Sequence, residues 1–403
     1  MSLGPPEAVI VATARSPIGR AHKGSLVGLR PDDMAAQIVR ALMDSAPQVS
    51  ADAIDDLVLG CGQPFGEAGF NVARVVAILA GLDDVPGVTV NRFCSSSLQA
   101  IRMAAHAIKA GEGDVFIAAG VEAISRRGAG ESDASNPQFT PARERTERRS
   151  LGGAPTWTRT EGLPDYYIAM GQTAENVAQH ENVSRQEQDE FAALSQQRAV
   201  AAVESGFWAE ELTPLTLLDG TVIDKDDCPR SGTTVESLAG LRPAFRADGT
   251  VTAGNACPLN DGAAAVLVMS GTRAKEFGLI PLARIVSSSV TGLNPEIMGL
   301  GPIEAIRQAL ARAGKTVDDI DLFEINEAFA AQVVPSAEHL GISWDKLNVS
   351  GGAIALGHPF GMTGARIMTT LIHNLQHHDQ QFGVESMCVG GGQGMAMVIE
   401  RLS

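Results

Sequence analysis

Cys94, within Val88 to Ile108 (VTVNRFCSSSLQAIRMAAHAI), stands in the setting best suited to chemistry. Val88, Thr89 and Val90 predict a buried strand, and Leu98, Ile101, Ala105 and Ile108 recur at helical spacing, so strand passes into helix between Asn91 and Ser95. Cys94 then sits at a helix N-terminus. Unpaired N–H groups and the helix dipole favour an anion there, which would lower the thiol pKa toward a reactive thiolate. A small buried hydrophobe is the other reading of one cysteine. His358, in GGAIALGHPFG, occupies a rigid Gly/Pro turn at a second strand-to-helix junction, fit for a base or for a satisfied loop histidine. Cys388, in MCVGGGQG, ends an apolar strand before three glycines that admit a ligand or another backbone. Its thiol could exchange a proton or simply fill the strand; no Lys-Ser/Thr follows to make the glycines a nucleotide loop. Asn326 opens NEAFAA after the apolar IDLFEI, where an amide can orient a water, donate to an oxyanion or cap the next helix.

The elements that must position these residues repeat. Ala8 to Thr13 predicts a buried strand, ARSPIGRAHKGSL a surface loop, and Pro31 starts a helix with Asp32 and Asp33 in its first turn. A strand ending near Cys61, a helix from Asn71 to Ala80, the Cys94 stretch and a strand from Asp114 to Gly120 complete a β, α, β, α, β, α, β order. After residue 280 a related order returns. Pro302 opens a helix closed by Gly314, VDDIDLFEIN echoes VSADAIDDLVLG, LNVSGGAIALGHPFGMTGARIMTTLI matches the Cys94 stretch in kind, and MCVGGGQGMAMVIE predicts a strand pair where DVFIAAGVE stands. Two duplicated α/β halves follow, each a mixed sheet covered by helices. Residues 1–124 with 247–279 form one half and 280–403 the other. Residues 125–246, with a charge-dense start and an acid-rich helix around Thr173 to Ala202, read as an inserted loop domain.

Composition narrows the class. The chain has 403 residues, 44% hydrophobic, with 43 glycines and only 4% aromatics, which suits an α/β enzyme with close backbone approaches. A net charge of −16 argues against nucleic acid and anionic membrane as partners. Five scattered cysteines, with no pairs at metal-ligand spacing, fit reduced thiols in a cytoplasmic protein. The N-terminus lacks a basic stretch leading into an apolar core, and no segment has membrane-span length.

Together NRFCSSSLQA, NEAFA, GGAIALGHPFG and CVGGGQG, with TAGNA at Thr252 to Ala256 and MGQTAENVA from Met170, resemble the thiolase family across nearly the whole chain. The resemblance implies a five-layered αβαβα arrangement of two similar halves with an inserted loop domain. It implies an acyltransferase cleaving 3-ketoacyl-CoA with CoA, with Cys94 as acyl-accepting nucleophile, His358 as its base and Cys388 as the second proton carrier. One oxyanion site would be His358 with a water held by Asn326, the other the N–H groups of Cys94 and Gly390. Arg230 matches the adenine-stacking position, Ser237 and Phe245 the pantetheine path, and Met170 and Ala328 the acyl pocket. Coenzyme A is a substrate; no metal or redox cofactor is implied, and the family implies a homodimer or homotetramer. Two departures bear on this. Cys257 and Pro258 follow TAGNA where serine is usual, and a thiol is a weaker donor to pantetheine. Ala169 precedes Met170 where short-chain biosynthetic members carry histidine, which with NRFCSSS favours thiolysis over acetoacetyl-CoA synthesis. A decarboxylating condensing enzyme and a non-catalytic acyl-CoA-binding protein are the rivals; Cys388 and the GHP turn argue against both.

Overall fold

The computed structural model describes residues 6–127 and 135–403. Readings on residues 1–5 and on 128–134 of the charged run lie outside these. The first half carries strands β1 (Ala8–Arg15), β2 (Gly19–Arg20), β3 (Asp56–Gly60), β4 (Gly87–Val90) and β5 (Val115–Ala123), with helices α1 (Pro31–Asp44), α2 (Val72–Leu79) and α3 (Ser96–Ala110). A mostly helical segment follows: α4 (Thr140–Ser150), α5 (Met170–His180), α6 (Arg185–Glu204), α7 (Phe207–Glu211), the ribbon β6 (Leu215–Thr216) and β7 (Val222–Ile223), and α8 (Val235–Ala239). The chain re-enters the sheet as β8 (Asn260–Ser270), followed by α9 (Gly271–Glu276). The second half runs β9 (Ala283–Gly292), α10 (Gly301–Ala313), β10 (Leu322–Ile325), α11 (Ala330–Leu340), α12 (Ala353–Leu356), α13 (Thr363–His377), β11 (Phe382–Val389) and β12 (Gln393–Arg401).

Both halves are mixed sheets of one pattern. The first orders β4-β3-β5-β8-β1 and the second β10-β11-β12-β9. β3 pairs in parallel with β4 and β5, as β10 does with β11, and the pairings beyond are antiparallel. Where the second half should match β4, the strand shrinks to one parallel bridge, Leu347 to Phe323. The halves are joined rather than separate, because Val9 and Ile10 at the start of β1 pair with Arg284 and Ala283 of β9.

Layering follows from which residues alternate inward. On β5, Val115, Ile117, Ala119 and Val121 face a cluster with Met34, Ile38 and Leu42 of α1 and Val76 of α2, while Phe116 and Ala118 face a second cluster. That second cluster holds Leu98, Ile101 and Ala105 of α3 against Met368, Leu371 and Ile372 of α13. A third packs Ile306 and Leu310 of α10 and Val333 and Val334 of α11 on β10 and β12. Helices therefore lie outside each half, with α3 and α13 buried between them, in five layers.

Two expectations change. The run from Ala14 is a surface loop only in its later part, where Arg20, His22 and Lys23 are exposed: Arg15 ends β1 and, with Ser16, is fully buried, and its guanidinium pairs with Glu211 at 2.9 Å and Asp226 at 2.8 Å. A charge there is tolerated only because carboxylates from two distant segments meet it, a pairing invisible in local sequence. The acid-rich helix around Thr173 to Ala202 is two helices, broken at Asn182 (φ 57°) and restarted by a capping box of Ser184 and Glu187.

The central layer depends on small residues. A Cβ on Gly364 would overlap the backbone nitrogen of Leu98, one on Gly120 the carbonyl oxygen of Gly361, and one on Gly60 the backbone of Ser96. Gly364→Ala should raise helix propensity by about 1 kcal/mol, yet backbone cannot yield, so the overpacking cost of ~1–3 kcal/mol or more should win. Chemical denaturation should find the variant about 2 kcal/mol less stable; equal or greater stability would refute the close α3–α13 packing.

Candidate active site

Cys94 lies in a single turn, Phe93–Ser95, between β4 and α3. Phe93 has φ 43°, a left-handed conformation costly for a large side chain, and side-chain bonds hold it. Ser96 Oγ donates to Phe93 O at 2.7 Å and accepts from Arg92 N at 2.9 Å. The Arg92 guanidinium spans from Gln99 on α3 (2.9 Å) to Gln393 at the start of β12 (2.6 Å), tying this turn to the glycine run after Cys388. Burial pushes the Cys94 thiol up to about 11, against the N–H groups of Gly390 and of Cys94 itself, and the nearby charge of Glu122 adds to the rise. The helix-start expectation of a lowered pKa is therefore overturned: the N–H groups face the sulfur, but desolvation of a thiolate outweighs them.

His358 is 1% exposed. Its backbone N–H donates to Asn260 Oδ1 at 2.9 Å, and Asn260 Nδ2 donates to Gly19 O at 3.0 Å. Nδ1 lies 2.6 Å from Thr363 Oγ1, whose own proton goes to Pro359 O at 2.8 Å. Thr363 must then accept, so the network assigns the ring proton to Nδ1 and leaves Nε2 with a lone pair. Asn326 Nδ2 stands 3.3 Å from that Nε2. Burial pushes the imidazole down to about 3, with Arg366 adding to the fall. The resting site is thus a neutral thiol beside a neutral imidazole, and a thiolate forms only as its proton is taken.

Cys388 ends β11 with no exposed surface, packed with Ala256, Ala328, Phe329 and Met298, and half-buried Met170 lies against the same cluster. Burial lifts Cys388 well above the ordinary thiol range and also raises Cys257, and repulsion from Cys94 adds to both. Cys94, Cys257 and Cys388 therefore lie within electrostatic reach of one another. Cys257 is held by its N–H to Ala328 O at 3.0 Å.

A groove of about 200 Å³ borders this pocket, lined among others by Arg230, Ser237, Leu241, Gly254 and Pro258. Ser237 Oγ donates to Thr234 O and accepts from Thr234 N in the cap of α8, so its hydroxyl is already engaged. Phe245 lies against Gly171 and edge-on to Phe329 at 6.0 Å, beside the acyl cluster rather than in the groove. Of the residues singled out in sequence, Cys94 lies with the Gly390 N–H and within electrostatic reach of Cys388 and Cys257, Asn326 lies with His358, and the turns of Cys94 and His358 adjoin through Phe360, which approaches Gly62 beneath Phe93 and the imidazole alike. Met170 and Ala328 pack with Cys388, and Arg230 and Ser237 line the groove. Among the described residues no three His, Cys, Asp or Glu side chains are placed to hold a metal ion, and no helix is long and apolar enough to cross a membrane.

Four residues were missed. Thr363 and Asn260 fix His358, as above. Glu327 binds Ser195 Oγ (2.6 Å), Asn348 Nδ2 (2.9 Å) and Ile354 N (3.0 Å), holding the Asn326 loop to the segment before His358. Glu122 accepts from Gly62, Gln63 and Gly361 N–H groups. An acid closing the otherwise apolar strand VFIAAGVEA was the available signal for Glu122; the partners of the others are set only in three dimensions.

Comparison with known proteins agrees with this geometry. The thiolase N-terminal domain model matches residues 8–272 and the thiolase C-terminal domain model residues 279–401. The chain is 44% identical to a 3-ketoacyl-CoA thiolase of Bacillus subtilis (98% of this chain, 99% of the other) and 44% identical to a β-ketoadipyl-CoA thiolase of Escherichia coli (98% and 100%). It is 42% identical to an acetyl-CoA acetyltransferase of Pseudomonas aeruginosa, over 98% of this chain and 99% of that one. The crystal structure of the Bacillus anthracis acetyl-CoA acetyltransferase superposes over the whole of both chains with a TM-score of 0.87 at 41% identity. With family models over both halves, full-length relatives and a matching solved fold, the chain belongs to the thiolase family.

Proposed function

We propose that this chain is an acyl-CoA acyltransferase cleaving 3-ketoacyl-CoA with CoA, through an acyl-enzyme on Cys94, to acetyl-CoA and a shortened acyl-CoA. The observation that supports the reading is that Cys94 meets the Gly390 N–H and lies within electrostatic reach of a buried Cys388, while the turn that adjoins it through Phe360 carries His358 with its Nε2 lone pair toward Asn326. His358 Nε2 takes the Cys94 proton as sulfur attacks the ketone carbon. The new oxyanion is met by the imidazolium and the Asn326 side of the site. Collapse breaks the bond between the ketone carbon and the α-carbon, and the acetyl-CoA carbanion takes the Cys388 proton. Burial holds that thiol protonated, as a donor requires. Incoming CoA then loses its thiol proton to Cys388, and its sulfur attacks the Cys94 thioester. The Gly390 and Cys94 N–H groups face this second oxyanion before Cys94 departs and takes back the proton held by His358.

Ala169 at the head of α5, where short-chain biosynthetic members carry a histidine, supports thiolysis of longer acyl groups over acetoacetyl-CoA synthesis. The thiolases named for 3-ketoacyl-CoA and β-ketoadipyl-CoA support the same direction. The groove at Arg230 is the proposed CoA path, and fatty acid β-oxidation in the cytoplasm, without a metal or redox cofactor, is the proposed setting. The half-buried edge strand β4 and exposed Phe70, Ile78 and Met103 support assembly as a homodimer or homotetramer.

With purified protein, free CoA and a chain-length series of 3-ketoacyl-CoA, loss of enolate absorbance should be faster for longer substrates than for acetoacetyl-CoA. No turnover across the series would end the enzyme reading, and a maximum at acetoacetyl-CoA would reverse the direction. Cys94→Ala should abolish covalent acyl labelling, whereas Cys388→Ala should keep the label and lose turnover; label persisting without Cys94 would refute the roles. Asn326→Ala, which removes one donor, should lower kcat by about 10²–10³ with a small change in KM, and an unchanged kcat would exclude Asn326 from the oxyanion site.

A further inference from the structure

Glu122 closes β5, 2% exposed, and touches neither the groove nor the acyl pocket. Its Oε2 accepts from Gly62 N at 2.9 Å and Gly361 N at 2.9 Å, and Oε1 accepts from Gln63 N at 3.1 Å. Gly62 follows β3 and stands under the Cys94 turn: a Cβ there would lie 2.8 Å from Glu122 Oε2, 2.9 Å from Phe360 Cβ and 3.3 Å from Phe93 O. Gly361 is three residues past His358, and Phe360 packs its ring 5.1 Å from the imidazole. One carboxylate thus bonds to backbone from the half that bears Cys94 and from the half that bears His358.

We propose that Glu122 is a positioning residue, its carboxylate tying the turn beneath Cys94 to the turn that carries His358 and so setting the distance across which the thiol proton passes. The proposal rests on the reading of Cys94 and His358 as nucleophile and base. Three amides from two separately folded segments share one acceptor best while it is ionised: protonation places an O–H on one oxygen and turns charge-assisted bonds into weaker neutral ones, loosening at least one of the three. Stability alone would not choose a carboxylate here. Burial pushes Glu122 up to about 7, against the three N–H bonds and the charge of Arg127. Its other charged or titratable neighbours are Cys61 after β3 and Cys94, both raised by it, and Glu67 and Arg126, which pair with each other along the small cavity at its edge. An acid held near neutrality at the seam between two reactive turns fits a role in geometry.

Because the folded pKa lies above the usual carboxyl value, the clamp is ionised above about pH 7 and lost below it. Cys94 and His358 titrate near 11 and 3, outside this window. The test is the single-turnover rate of Cys94 acetylation from acetyl-CoA, in the full-length protein, from about pH 6 to about pH 8. In the parent protein the rate should rise through about pH 7. Glu122→Gln, equal in size, should keep the thermal midpoint, slow acetylation on the order of tenfold to a hundredfold, and flatten that rise. Glu122→Asp, which keeps the charge but withdraws it by one methylene, should also slow acetylation, and gives the same readout if the Gln variant does not fold. Full acetylation rate with the pH step intact in the Gln variant, or full rate in the Asp variant, would overturn the proposal. Failure of the parent protein to label at Cys94 would overturn the nucleophile reading itself, and this proposal with it.

Discussion

The structure depends on backbone meeting backbone between the two central helices. The Cys94 turn and α3 come from one half, the His358 turn and α13 from the other, and they touch where Gly60, Gly120, Gly361 and Gly364 carry no side chain. Any Cβ at these points would meet main chain, which cannot move aside, so the approach is fixed to within a few tenths of an ångström. Catalytic geometry tolerates little more than that. The outer layers and the sheets hold these two helices in register, and their own cores are ordinary aliphatic packing.

Putting the reacting groups at the centre of a five-layered protein has an electrostatic consequence. Desolvation opposes charge on every titratable group there, so the thiols rise and the imidazole falls despite the N–H donors aimed at the site. On the proposed mechanism charge would appear only along the reaction path, where fixed donors are already in place. Buried acids and bases around the centre follow the same rule. Arg15 is matched by Glu211 and Asp226, and Glu327 by a hydroxyl, an amide and a backbone N–H. Glu211, Asp226 and Ser195 come from the insert, which makes these charges struts between halves and insert as well as local liabilities.

Periodicity marked α1, α2, α3, α10 and the buried strands closely, because apolar spacing, Pro at the first turn and Gly beyond the last are local signals. The duplication was legible as an order of elements, and the matching strand orders of the two halves bear it out. Where local signals misled, a distant partner decided. ARSPIG reads as a polar surface loop until Glu211 and Asp226 are brought to it, and Cys94 reads as a lowered thiol until the second half covers it. The bridge at Leu347 likewise shows that a strand motif can survive in order while losing its length.

By itself the sequence singled out the candidates, two cysteines, a histidine and an asparagine, each at a strand end or on a glycine-bounded turn, and their joint resemblance to one family made them a set. Those are properties of residue type and neighbouring spacing, so they need no fold to be read. Only the tertiary structure decided which nitrogen of His358 keeps a lone pair, that three thiols come within electrostatic reach of one another, and that Glu122, Glu327, Asn260 and Thr363 hold the parts together. The His358 proton is settled by Thr363 and Pro359 only once the turn is folded to bring them together, and desolvation and bridges such as Glu122 to Gly361 are set by segments distant in the chain, so no local pattern encodes their distances.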